Sequence, residues 1–133
     1  MPMVQRPAFQ NWLDAPQTPG DWSWRSDGEN SIAEFKSPQG TLIFQISCQT
    51  RRQVFVSVIG GSAGLMTIRT ETTTRSQPAN LSGMFARAIF APRDPLLDAM
   101  AVTKGRFAVE VEGLPALYLP SWTEVTRVIE DCR

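Results

Sequence analysis

The chain contains no histidine, and that one absence removes much of the chemistry a small domain could perform. Ser-His-Asp and Cys-His nucleophile activation, imidazole metal sites and histidine pH switching all require the missing ring. Few reactive groups remain. Cys48 and Cys132 are the only cysteines, far apart, without the C-x-x-C spacing of a redox pair. Two thiols alone do not make a thiolate zinc site, and no metal or other cofactor is expected. Ser62 lies in the run Gly60-Gly61-Ser62-Ala63-Gly64 and could serve as a nucleophile with a lysine as base. Only Lys36 and Lys104 exist for that role, and nothing in the spacing brings either near. The glycine run lacks the lysine and following helix of a phosphate cradle, so a hairpin connection is the simpler expectation. Glu110 and Glu112 stand two apart on a strand and share a side. Paired carboxylates do acid–base work when burial separates their pKa values, but on an alternating strand they more often form the solvated face. Asp27-Gly28-Glu29-Asn30 is too short for a calcium loop and fits a turn.

Trp22 and Trp24 also share one face of a strand. As core residues they need no further role; exposed, they would form a stacking platform or partner anchor. With Trp12 in the preceding arm, they are the candidate binding contacts.

Composition narrows the partners. A chain of 133 residues, 42% hydrophobic and 20% charged, fits one globular domain with its own core. Thirteen cationic side chains balance thirteen acidic ones, so no long-range field exists to hold nucleic acid or an anionic membrane. Arg51-Arg52 is the only adjacent cationic pair and reads as a solvated hairpin tip. No apolar run approaches the ~20 residues of a membrane helix, so no membrane insertion is expected.

The periodicity predicts an α+β domain over residues 20–133, mainly antiparallel β, folded as a β-sandwich or half-barrel with two short C-terminal helices. Residues 1–19, with prolines at 2, 7, 16 and 19, read as an extended arm. From Gly20 the period is two: Trp22 and Trp24, then Ile32 to Lys36, then Leu42, Phe44, Ile46 and Cys48 on one face, then Val54, Val56 and Val58. Leu65 to Thr73 continues as a strand, Arg75 to Gly83 has the composition of a loop, and Ala86 to Ala91 fits another strand. Asp94-Pro95 starts a helix that Gly105 closes. Arg106 to Leu119 forms a hairpin. Ser121-Trp122-Thr123-Glu124 matches a capping box, with Trp122, Val125, Val128, Ile129 and Cys132 on one helical stripe.

Cys48 ends a strand and Cys132 ends the last helix, a placement that favours a disulfide over two buried thiols. A disulfide implies an oxidising compartment, periplasmic or extracellular. The first twenty residues show no signal-peptide core, which taken literally leaves the protein in the cytoplasm. The cysteines argue instead for a leader removed ahead of this numbering.

Asp94-Pro95-Leu96-Leu97-Asp98-Ala99-Met100, Gly105-Arg106-Phe107 and Pro120-Ser121-Trp122 through Asp131-Cys132-Arg133 resemble a family of small alphaproteobacterial envelope proteins. The resemblance covers the C-terminal third, with Gly20 to Trp24 and Cys48 extending it. The layout of tryptophan strand, cysteine-bearing meander, helix, hairpin and closing helix is also similar to the invasion-associated locus B family. That implies an exported β-sandwich-like domain with no catalytic motif to carry over. The expected function is a non-enzymatic binding or interaction module of the envelope, with another protein or an envelope component as partner. The alternative is a small histidine-free hydrolase using Ser62 or the Glu110/Glu112 pair.

Overall fold

Alternating apolar residues make strands because successive side chains point to opposite faces. In the computed structural model, which describes residues 12–61 and 63–133, nine such segments join one antiparallel sheet. They are β1 (Asp21–Asp27), β2 (Asn30–Lys36), β3 (Leu42–Gln49), β4 (Gln53–Ile59), β5 (Gly64–Arg69), β6 (Thr74–Ser82), β7 (Phe85–Phe90), β8 (Arg106–Val111) and β9 (Leu117–Pro120). Helix α1 (Pro95–Val102) separates β7 from β8, and α2 (Thr123–Asp131) closes the chain. The strand order is β1-β2-β3-β4-β7-β6-β5-β8-β9.

The sheet turns back on itself at β6. Residues Thr74 to Ala79 pair with β5, whereas Asn80 to Ser82 pair with β7. The two halves face each other across one core: the Phe44 ring on β3 lies 6.1 Å from the Phe107 ring on β8. Trp22 on β1 donates from Nε1 to the Pro120 carbonyl of β9 at 2.8 Å, drawing the edge strands together. No ladder joins β1 to β9 among the described residues, so the result is an open half-barrel.

Strand β6 replaces the loop expected over 75–83. Its sequence, with Ser76, Gln77, Pro78, Asn80 and Ser82, is poor in strand formers. Pro78 lies opposite Leu65 of β5 but has no partner in β7, so at this position β6 is paired on one side only, where proline is better tolerated. Where the ladder to β7 is missing, Gln77 Nε2 donates to the Ile89 carbonyl at 3.0 Å.

Helix α1 begins as its sequence dictates. Asp94 accepts from the Leu96 amide at 2.9 Å, and Pro95 occupies the first turn. Arg75 grips the same carboxylate through both terminal nitrogens, at 2.9 and 2.6 Å. Burial raises the Asp94 pKa, but the Arg75 hydrogen bonds, the Leu96 amide and the Arg75 charge outweigh it. The net position is below the ordinary carboxylate value. A depressed carboxylate stabilises the fold above its unfolded pKa, near 3.9, and loses that contribution as pH falls through the native pKa. Asp94→Ala should therefore cost about 1–2 kcal/mol at pH 7, a range that allows for the partly exposed Arg75. Urea titrations of both proteins should show that gap constant near neutrality and shrinking below about pH 4. A gap that widens with acid would contradict the assignment.

The helix ends at Val102 with Thr103 as its C-cap, so Gly105 does not close it. Gly105, at φ 77°, sits in the turn into β8.

The expected capping box at Ser121 does not form. The N-cap of α2 is Trp122, which makes no side-chain capping bond. Ser121 Oγ instead donates to the Met100 carbonyl at 2.6 Å, satisfying an orphan acceptor at the end of α1. Trp122 leaves the expected stripe and is 43% exposed, while Val125, Val128, Ile129 and Cys132 are buried. The stripe thus packs α2 onto β2 and β3, and Cys132 reaches Cys48 to form a disulfide with Cα atoms 5.4 Å apart.

Residues 12–19 run along the outside of β8 and β9. Ala15 joins Ala108 and Tyr118 in a small separate cluster, against which Trp12 packs. The Thr18 amide donates to the Tyr118 carbonyl at 2.9 Å, and the Tyr118 amide donates to Thr18 Oγ1 at 2.8 Å. Arg106 donates to the Ala15 carbonyl.

Candidate functional site

One end of the half-barrel is sealed. The Cys48 end of β3, the start of β4 and the end of β7 meet α1, α2 and the disulfide there. The opposite end is not, and it holds an apolar cleft of about 250 Å³ lined by Leu42, Ile43, Val58, Ile59, Leu114, Pro115 and Leu117.

Three local features build this cleft. The β2–β3 register slips between Phe35 and Lys36, which pair with Phe44 and Leu42, so Ile43 is the extra residue of a bulge at the rim. The chain leaving β4 turns at Gly60 and Gly61, with φ of 86° and 76°, values that side chains other than glycine rarely adopt. A Cβ on Gly61 would lie 3.0 Å from Val111 Cγ1 and 3.2 Å from Leu114 Cδ1, so only glycine lets this loop pack against the opposite wall. The β8–β9 turn then contributes Leu114, Pro115 and Leu117 from across the core. Gly60 and Gly61 thus shape an apolar wall.

The lining carries no charge and no hydroxyl. Its chemistry is to remove an aliphatic group from water, which is worth about 0.8 kcal/mol per buried methylene. Maturely formed ligand sites often occupy such barrel mouths.

The expected site residues lie elsewhere. Trp22 is 6% exposed, with its ring edge-on to Phe35 and Phe44 at 5.3 and 5.8 Å, so it packs the core and offers no contact surface. Trp24 is half-buried: its Nε1 donates to Ser31 Oγ at 2.8 Å and the Arg127 guanidinium covers its ring at 4.0 Å. Ser31 Oγ in turn donates to Asp131 at 2.7 Å, so Trp24 ties α2 to β1 and β2. Trp12 is half-buried against the Ala15 cluster. The three tryptophans form no common platform.

Ser62 lies outside the described residues. Glu110 is engaged by Arg69, whose Nε donates to Oε2 at 2.6 Å. That hydrogen bond raises the Arg69 pKa, and burial raises that of Tyr118, with the Glu110 charge adding to it. Glu112 lies beyond the end of β8, exposed in the turn to β9, so the two glutamates do not share a strand as expected. Neither glutamate lines the cleft. Among the described residues no three His, Cys, Asp or Glu side chains gather as metal ligands, and no helix is long and apolar enough to cross a membrane.

No protein-family model, curated protein or solved structure matches this chain.

The cleft was missed in the sequence because its residues are ordinary core formers at three separated places. Its nearest signal was Gly60-Gly61, a demand for close backbone approach, together with Leu114-Pro115 at a hairpin tip.

Proposed function

We propose that the protein is a non-enzymatic binding module of the cell envelope, which takes an aliphatic group of a protein or envelope component into the cleft. The observation that carries this reading is the uncharged cavity of about 250 Å³ at the open end of the half-barrel. The location is supported by the Cys48–Cys132 disulfide, a bond that persists in oxidising compartments. The resemblance of the C-terminal third to small envelope proteins points the same way. Ligand entry at this end leaves the disulfide and both helices undisturbed, since they close the other end.

Decanol is a suitable probe because it supplies a linear apolar body with no charge. Titration calorimetry should detect its binding to the native protein. Leu114→Lys, which places an ammonium at the wall, should weaken that binding by at least about tenfold. Equal binding by both proteins would remove the cleft from consideration.

A further inference from the structure

Just outside the cleft, the sheet carries an arginine without a counter-charge. Arg87 lies on the outer face of β7, directly opposite Ser57 of β4. Its guanidinium carbon sits 4.8 Å from the centre of the Phe55 ring and 5.7 Å from that of Phe85. No carboxylate pairs with it among the described residues, which include every Asp and Glu of the chain.

The surroundings are polar in an unusual way. Four buried side-chain polar atoms have no hydrogen-bond partner among the described residues, and three of them belong to this patch: Ser47 Oγ, Ser57 Oγ and Arg87 Nε. Ser57 is 0% and Ser47 2% exposed, although both project from the outer face of the sheet. Buried polar atoms in native proteins are nearly always paired with protein or ordered water, so this face has polar capacity beside Arg87 that no protein group uses. The fourth, Arg75 Nε, belongs to the side chain that holds Asp94.

Cleft and arginine are adjacent. Ile59, which lines the cleft, is the cross-strand partner of Phe85, whose ring contacts Arg87. One strand across and two residues along amounts to about 8 Å. We propose that Arg87, flanked by Phe55 and Phe85, binds the carboxylate of a linear aliphatic acid whose tail lies in the cleft. The tail placement rests on the function proposed above; the headgroup is the new element. A guanidinium's planar fork matches a carboxylate through two parallel hydrogen bonds. One unpaired cation balances one negative charge, which favours a carboxylate over a phosphate dianion. The two rings hold the guanidinium in place and shield it from water, which strengthens the pair. An acid of about ten carbons covers the diagonal and leaves methylenes for the cleft.

Titration calorimetry at pH 7.5 with decanoate and decanol tests the two parts separately. Native protein should bind decanoate at least about tenfold more tightly than decanol, the return expected from a charge-assisted hydrogen bond. Arg87→Met should bring decanoate down to the affinity of decanol and leave decanol within twofold of its native value. Arg87→Gln serves the same purpose should the methionine variant fail to fold, and the native comparison depends on neither. Equal native affinities for the two probes would overturn the headgroup site while the cleft stands. Undiminished decanoate binding by the Arg87 variants would also overturn it. Failure of both probes to bind would overturn the site and the cleft together.

Discussion

Replacing both cysteines with alanine should lower the melting temperature by roughly 15–20 °C. Cys48 and Cys132 are separated by 84 residues, so their bond closes most of the chain into a loop. On the chain-entropy argument, that closure destabilises the unfolded state by about 4.5 kcal/mol. A domain of this size has only about 5–15 kcal/mol of stability in total, so the loss is a large share. The bond also fixes α2, whose buried face is only Val125, Val128, Ile129 and Cys132. Scanning calorimetry of the double variant beside the native protein reads the effect. A shift under about 3 °C would mean that packing alone holds the helix. Intact-mass analysis after alkylation under denaturing conditions checks the bond itself. No label should enter until a reductant is added; labelling of both thiols beforehand would contradict the pairing and the oxidising compartment it implies.

Trp22→Ala should cost about 3–5 kcal/mol, far more than Trp24→Ala. The two residues lie on the same face of β1, and their difference comes from where that face meets the rest of the molecule. The Trp22 indole is enclosed by Phe35 and Phe44, and its N–H satisfies a carbonyl of the opposite edge strand. Removing it leaves a cavity and an unpaired buried acceptor. Trp24 loses a half-exposed ring, one hydrogen bond to Ser31 and a stacking contact with Arg127, together worth about 1–2 kcal/mol. Urea unfolding of the two variants, with matched slopes, decides between them. Equal losses would show that the half-barrel does not depend on joining its edges through Trp22.

These contrasts show what the sequence could and could not disclose. The strands β1 to β4 were legible because each buries one face, and alternation of Phe44, Ile46 and Cys48 or Val54, Val56 and Val58 records that directly. Strand β6 was not, since it is held by pairing with β5 and β7 and by the Gln77 side chain, none of which leaves a local pattern. The Asp94 cap was legible because its partner is two residues away. Ser121 looked like a cap for the helix after it, yet it bonds the helix before it, a choice set by tertiary contact. Arg87 gave no signal because its neighbours Phe55 and Ser57 lie some thirty residues earlier in the chain and are brought beside it only by the β4–β7 pairing.

Everything proposed for this protein depends on the open end of the half-barrel accepting an aliphatic chain. The most direct measurement is a methyl-resolved NMR titration of the native protein with decanol. Saturable shifts should concentrate on Leu42, Ile43, Val58, Ile59, Leu114 and Leu117, with Val125, Val128 and Ile129 at the sealed end unmoved. Shifts spread evenly over the surface, or centred on the α2 end, would contradict it.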